Sequence, residues 1–236
     1  TSVMSIGKQA AQGAAWNYAA FLASKGLLFV ATLVLARLLS PEEFGLVGMA
    51  LLVITVLDIF RDFGIGSALI YRQTSLASSA NMAFALSVGI GIALFLANWL
   101  IAPLAARFFL PDDPSDGSLV IWLLRVLGLS LLFASLGSTH DALLQKGIDY
   151  RKRVVPEVGR TLVKGVLSVA LALSGFGVWS LVIGQVLGEA CATVLLWIVN
   201  PWRPGRHLER ADLKPMRGYG SQIMMVNGLG TFVADV

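Results

Sequence analysis

Residues 119–141 read LVIWLLRVLGLSLLFASLGSTHD, a stretch in which Arg125 is the one arginine or lysine and Asp141 the one acid. About 20 predominantly apolar residues in an α-helix cross a bilayer core that is about 30 Å thick. A strand of a membrane barrel would instead alternate apolar and polar residues over ~10 positions. The stretch is apolar at most positions, so it predicts a transmembrane helix.

Further apolar stretches of this kind occur along the chain, and they predict an all-α, polytopic transmembrane helical bundle. The predicted spans are 14–36, 44–70, 81–103, 119–141, 158–173 and 178–199, and a seventh apolar segment starts near Tyr219. The sequence thus places six predicted spans in 1–200, a polar connection in 201–217 and the start of a seventh span in 218–236.

Composition excludes several other classes of protein. The chain is 56% hydrophobic and 14% charged, whereas a soluble domain averages about 45–50% apolar and about 25% charged residues. Cys191 is the single cysteine, which excludes a disulfide scaffold. Two histidines and one cysteine predict no metal site, and the chain has no phosphate-binding loop motif. We expect no catalytic residues, no cofactor and no enzymatic activity.

The distribution of basic residues predicts the orientation. With the N-terminus inside, eleven lysines and arginines lie in inner segments and two in outer segments. Cytoplasmic loops of membrane proteins carry such an excess. The net charge of +4 is thus assigned to membrane topology rather than to nucleic-acid binding. The sequence predicts a multi-pass membrane protein with a cytoplasmic N-terminus.

Charged residues inside the predicted spans are candidates for function, because a charge at the bilayer centre costs about 2.5–3.5 kcal/mol on insertion scales. Lys25 lies at mid-span, and Lys164 lies about two turns inside its span. Glu189 lies near mid-depth and is expected either to pair with Lys25 or Lys164 or to carry a coupling proton. Arg160 and Arg125 lie closer to the span ends, where long side chains reach the surface.

A second group of charges lies on one face of the second span. Asp58, Arg61 and Asp62 are spaced i, i+3, i+4, so they are predicted to pair along the helix. Because several helices each carry a polar stripe, the stripes predict a shared internal cavity that is weakly cationic. We expect Lys25, Arg61 and Lys164 to attract an anionic cargo there, and Glu189, Asp58 and Asp62 to serve in charge pairing or ion coupling.

Three segments resemble one protein family. They are LARLLSPEEFGLVGMALLVITVLDIFRDFGIGSALI (35–70), ALLQKGIDYRKRVVPEVGR (142–160) and GFGVWSLVIGQVLGEACATVLLW (175–197) with the following WRP. In this order they are similar to bacterial polysaccharide or oligosaccharide flippases of the Wzx-like kind. That family belongs to the superfamily that also holds lipid II flippases and multidrug-and-toxin extruders.

The resemblance implies two six-helix lobes around a central cavity. We therefore expect a six-helix lobe over 1–200, a cytoplasmic inter-lobe connection over 201–217 and the truncated start of a second lobe over 218–236, so that 1–236 is a fragment that does not transport alone. The resemblance also implies that undecaprenyl-pyrophosphate-linked oligosaccharide units are flipped across the bacterial inner membrane for exopolysaccharide, capsule or O-antigen synthesis. The implied partners are the lipid-linked oligosaccharide, membrane lipids, and a polymerase and glycosyltransferases of the same pathway, with no nucleic acid. Two alternatives stay open: a multidrug antiporter of the same architecture, and a membrane glycan polymerase or ligase.

Overall fold

The computed structural model describes residues 22, 24–61, 76–110, 114–147 and 150–205. Six helices occupy these ranges, with no strand among them. The helices are α1 over 24–38, α2 Pro41–Arg61, α3 Leu76–Phe109, α4 Pro114–Lys146, α5 Tyr150–Leu173 and α6 Val178–Val199. Within these described ranges, four helical segments are long and apolar enough to cross a membrane: Pro41–Arg61, Ser79–Phe109, Gly117–Lys146 and Val178–Val199. The chain is a polytopic helical membrane protein, as its apolar stretches predict.

Local signals in the sequence explain where α2 begins. The hydroxyl of Ser40 accepts a hydrogen bond from the backbone N–H of Glu43 at 3.2 Å. The Glu43 carboxylate in turn accepts one from the backbone N–H of Ser40 at 2.8 Å. This reciprocal pair is a capping box, which satisfies two backbone donors at the helix start. Pro41 suits the first helical position, where its missing N–H costs nothing.

The turn between α5 and α6 depends on two glycines. Gly175 and Gly177 have φ angles of 82° and 53°. Side chains with a Cβ rarely adopt this left-handed backbone. The four residues 174–177 therefore reverse the chain, and α5 and α6 form an antiparallel pair.

Several predicted span boundaries are shorter than the observed helices. Helix α3 continues through Pro103 to Phe109, and α4 starts at Pro114 rather than near 119. The sequence 110–118, LPDDPSDGS, predicts a turn-rich acidic loop, but its second half forms the start of α4. The basic segment 146–156 predicts a cytoplasmic loop, but α5 begins at Tyr150, so much of that segment is helical. Residues 62–75, which hold Asp62 and the end of the second predicted span, lie outside the described ranges.

Helix α4 is the centre of the bundle. It packs against α3, α6 and α2, and makes a smaller contact with α5. Its side chains Leu123, Leu124, Leu127 and Leu131 are almost completely buried in the largest core cluster. On the outer faces, large apolar side chains are exposed, including Leu100 at 76% on α3 and Ile198 at 69% on α6. Such faces are suited to contact with lipid, which is as apolar as the side chains themselves.

Helix α5 has a different character from the four long apolar helices. Six charged residues lie between its start and Lys164: Arg151, Lys152, Arg153, Glu157, Arg160 and Lys164. Arg153 forms two hydrogen bonds to the Asp141 carboxylate near the end of α4, at 2.7 and 3.1 Å. This pair joins the two helices at the end of the bundle that carries Lys146, Lys152, Arg153 and Arg203, here named the basic end.

Candidate functional site

Two glycines of α6 bring its backbone directly against α5. A Cβ added at Gly188 would lie 3.0 Å from the Cβ of Lys164 and 3.1 Å from the carbonyl oxygen of Arg160. At Gly184 an added Cβ would meet the Ser168 side chain and would lie 3.0 Å from the Lys164 carbonyl oxygen. Small residues at such spacing let membrane helices approach closely. The close approach holds the charged residues of α5 beside those of α6.

Glu189 lies next to this glycine pair and forms an ion pair across the two helices. Its Oε1 is 3.4 Å from Nε of Arg160, and only 14% of the Glu189 side chain is exposed. A second carboxylate, Glu157, lies 3.5 Å from Nη1 of Arg160 but is 55% exposed. Glu189 is eleven residues from the start of α6 and ten from its end, so it lies about 16 Å from the helix start at 1.5 Å per residue.

The remaining candidate charges surround this ion pair. Arg61, Asp58 and Lys164 all lie within electrostatic range of Glu189. Lys25 of α1 lies within electrostatic range of Lys164. Helix α1 reaches α5 because a Cβ at Gly165 would lie only 3.4 Å from the Cβ of Ala31. Lys25 thus interacts with Lys164, and Lys164 and Arg61 both interact with Glu189; the role of these residues as a cargo site stays a prediction.

We name Lys25, Asp58, Arg61, Arg160, Lys164 and Glu189 the charge cluster. It joins four helices and combines four basic with two acidic side chains, a formal charge of +2 when all are ionised. Arg61 is paired with Asp58 at 3.0 Å, which confirms the predicted i, i+3 pairing. Asp62, also predicted to pair there, lies outside the described residues. The cluster can bind an anion because its basic groups outnumber its carboxylates.

Two arginines near the predicted span ends make contacts that the sequence did not predict. Arg160 bridges Glu157 and Glu189. Arg125 lies with its guanidinium 4.5 Å from the ring centre of Trp99 and 5.2 Å from that of Trp122. Its contacts are thus with aromatic rings of α3 and α4, and it takes no part in the charge cluster.

Sequence reasoning missed an aromatic arrangement at the basic end. The ring of His140 on α4 is fully buried and stacks on Trp197 of α6, with centroids 4.6 Å apart. Trp202, in the segment after α6, meets the same His140 ring edge-on at 5.3 Å. The backbone N–H of Gly205 also donates to Asn81 of α3 at 2.9 Å. These contacts hold residues 200–205 against the bundle. In the sequence, the only sign of this packing is the pair of tryptophans, Trp197 and Trp202, near the end of α6.

The described residues form no candidate metal site. Nowhere among them do three or more histidine, cysteine, aspartate or glutamate side chains lie together in a way that could hold a metal ion. Cys191 is half-buried and unoxidised, and a Cβ at Gly159 of α5 would lie 3.7 Å from its sulfur. It lies in the packed interface of α5 and α6 and serves that packing.

The sequence is similar to that of proteins of polysaccharide biosynthesis. Residues 34–236 match the family described as "Polysaccharide biosynthesis protein". The chain is 33% identical over 203 residues to the succinoglycan biosynthesis transport protein ExoT of Rhizobium meliloti, covering 84% of this chain and 39% of that protein. No solved structure matches the chain.

Two further relatives match nearly the whole chain. The lipopolysaccharide biosynthesis protein WzxC of Escherichia coli is 26% identical over 97% of this chain and 46% of its own length. The teichuronic acid biosynthesis protein TuaB of Bacillus subtilis is 27% identical over 96% of this chain and 47% of its own length. The chain thus spans less than half the length of each of these relatives.

Proposed function

Because the chain belongs to the polysaccharide biosynthesis protein family, we propose that it forms part of a transporter for lipid-linked oligosaccharide. In this proposal the protein moves undecaprenyl-pyrophosphate-linked repeat units across the bacterial inner membrane, with its N-terminus in the cytoplasm. The single observation that supports the proposal is the charge cluster, in which four basic side chains of three helices accompany two carboxylates. The proposed cargo carries a pyrophosphate, and that group is anionic.

Within the cluster, the basic side chains have different surroundings. Arg61 is held by Asp58, and Arg160 is held by Glu157 and Glu189. Among the described residues, the structure records no ion pair or hydrogen bond for the half-buried Lys164 ammonium. An ammonium carries three donors, and an incoming phosphate oxygen can accept from them. Lys164 is therefore proposed to contact the pyrophosphate, with Lys25 beside it.

We propose two roles for Glu189: it compensates positive charge in the cluster, and it responds to the binding of cargo. It offsets part of the positive charge, so that the empty site does not hold several unpaired cations in a low-dielectric region. It also lies where a bound pyrophosphate competes with it for Arg160, so cargo entry would loosen the contact between α5 and α6. That coupling offers a route from cargo binding to alternating access, with the head group passing between two lobes.

The multidrug alternative is less well supported by the same cluster. A cationic drug requires net negative charge in its site, whereas here four basic side chains accompany two carboxylates. The glycan polymerase or ligase alternative needs catalytic groups in a sizeable outer loop. Helix α3 ends at Phe109 and α4 starts at Pro114, which leaves four residues between them. That connection is too short to hold a catalytic site of its own.

A complementation experiment tests the proposed function. The complete gene is expressed in a flippase-null strain, and surface polysaccharide is measured together with the abundance of the protein in the membrane. We expect the wild-type protein to restore polysaccharide and Lys164→Ala to restore little at equal abundance. Arg107→Ala is the matched control, because Arg107 is an exposed cation in the last turn of α3, away from the cluster.

The same strains separate the alternatives. If the wild-type gene restores no polysaccharide from any tested repeat-unit pathway but raises resistance to cationic drugs, the antiporter alternative is correct. If Lys164→Ala and Arg107→Ala restore polysaccharide equally well, the protein exports glycan without using the cluster. A pathway polymerase and glycosyltransferases are the proposed partners, and co-purification from the complemented strain tests their association.

A further inference from the structure

A groove between α4 and α6 lies outside the charge cluster and has no part in the proposed transport. It has a volume of about 420 Å³, and its apolar lining comprises Phe133, Leu136, Ala190, Val194, Trp197 and Ile198. The groove also contains Thr193, whose hydroxyl donates to the carbonyl oxygen of Phe133 at 2.7 Å. The Thr193 hydroxyl hydrogen therefore already has an acceptor within the protein, and the groove presents an apolar surface.

One charged side chain, Arg203, completes the lining at the basic end. Its Nη1 donates to the carbonyl oxygens of Asn200 and Trp202 at 2.9 and 2.8 Å. The guanidinium also lies 5.6 Å from the ring centre of Trp197. A guanidinium has five N–H donors, and the hydrogen bonds recorded for Arg203 among the described residues use only Nη1. Arg203 is exposed, so its other donors face outward from a fixed position.

The dimensions of the groove match one leaflet of a bilayer. The α6 residues that line it run from Ala190 to Ile198, a rise of about 12 Å at 1.5 Å per residue. One leaflet contributes about 15 Å to the roughly 30 Å hydrocarbon core. Arg203 lies four residues past the end of α6, where the chain leaves the apolar region. An acyl chain in the groove would therefore place its head group beside Arg203.

We propose that this groove binds one anionic phospholipid of the adjacent leaflet, with an acyl chain along α6 and its phosphate on Arg203. Charge complementarity identifies the ligand: the lining holds one cation and no carboxylate, so it favours a lipid with net negative charge. The bulk lipid is favoured over the transport cargo because the α6 residues that line the groove are centred roughly 110° around the helix from Glu189. The groove thus opens on a different side of α6 from the charge cluster, and a single guanidinium matches one phosphodiester rather than a pyrophosphate.

Photolabelling of the protein made from its complete gene tests this site. The probes are phosphatidylglycerol and phosphatidylcholine that carry the same diazirine at mid-chain, and labelled residues are mapped by mass spectrometry. We expect phosphatidylglycerol to label the segments around Phe133 and Val194 about fivefold more than phosphatidylcholine. Both lipids carry a phosphate, but the choline ammonium cancels its charge, and one basic side chain near a bilayer surface favours a net anionic lipid by about that factor. Arg203→Gln should remove that preference, and Arg203→Lys should keep part of it.

Filling the groove provides a matched pair of variants. Ala190→Trp should abolish labelling by both lipids, whereas Leu187→Trp should not, because Leu187 is an exposed α6 residue outside the groove. Equal labelling by the two lipids overturns the proposal, as does the absence of label at the groove in the wild-type protein. Displacement of phosphatidylglycerol by equimolar undecaprenyl pyrophosphate would assign the groove to the cargo instead. The comparison of the two lipids uses the wild-type protein, so it decides the matter even where a variant does not fold.

Discussion

Replacement of Glu189 by glutamine tests the ion pair at the centre of the charge cluster. Coulomb's law at an effective dielectric of about 20 gives roughly 5 kcal/mol for two unit charges 3.4 Å apart, the distance from Glu189 Oε1 to Arg160 Nε. Desolvation and the ordering of two side chains offset part of this gain. We expect Glu189→Gln to lower the free energy of unfolding by about 2–4 kcal/mol, because it removes the more buried of the two carboxylates that pair with Arg160.

Glu157→Gln is the matched control, since Glu157 contacts the same arginine at nearly the same distance, 3.5 Å. The Glu157 side chain is 55% exposed against 14% for Glu189. An exposed pair contributes about 0–1 kcal/mol. The two glutamine variants therefore differ by burial and not by chemistry, and their expected difference is about 2 kcal/mol or more than tenfold in the unfolding equilibrium.

The assay is an SDS titration followed by tryptophan fluorescence on both variants, on Arg160→Gln and on the two double variants. The double-mutant cycle should give a larger coupling energy for Arg160 with Glu189 than with Glu157. If Glu157→Gln destabilises as much as Glu189→Gln, burial does not determine the strength of these pairs. If Glu189→Gln leaves the free energy of unfolding unchanged, the Glu189 carboxyl makes no stabilising ion pair and the reasoning fails.

Three further predictions concern packing and topology. Gly188→Leu should separate α5 from α6 and lower the free energy of unfolding by about 1–3 kcal/mol. Gly48→Leu should lower it far less, because a Cβ at Gly48 meets nothing within 4 Å. Equal melting temperatures for the two variants would refute the close approach of α5 and α6. His140→Ala should cost about 2–3 kcal/mol by leaving a void under Trp197, and an unchanged unfolding midpoint would contradict its packing role. In a Cys191→Ser background, an impermeant thiol reagent on intact cells should label a cysteine at Ser115 and not one at Gly147; the reverse pattern would invert the predicted orientation.

The helices were predictable because a segment that spans the lipid must be apolar over the thickness of the bilayer core. Runs of about 20 apolar residues identify spans regardless of how the helices pack, and α6 matches its predicted bounds of 178–199. Boundaries outside the apolar core were less predictable. Helix α5 continues into the charged segment back to Tyr150 and α3 runs through Pro103, because helical hydrogen bonding does not stop where hydropathy changes.

The candidate site was predictable in part. Pairs on one helix follow from spacing alone, and the Asp58–Arg61 pair is an example. The partner of Glu189 was predicted to be Lys25 or Lys164, but the structure gives Arg160 as its ion-pair partner. That choice depends on how α6 is rotated against α5, which the contacts of Gly184 and Gly188 determine. A sequence shows the glycines, but it does not show which residues of the neighbouring helix they meet.

Binding of an isolated cargo head group tests most directly whether the charge cluster recognises pyrophosphate. Affinities of undecaprenyl pyrophosphate and of neutral undecaprenol are compared for the purified wild-type protein, Lys25→Ala/Lys164→Ala and Arg107→Ala. The wild-type protein and Arg107→Ala should bind the pyrophosphate at least about tenfold more tightly than the alcohol, or about 1.4 kcal/mol, and the double variant should lose most of this preference. A preference that is unchanged in the double variant would contradict the account, because the pyrophosphate would then be recognised elsewhere.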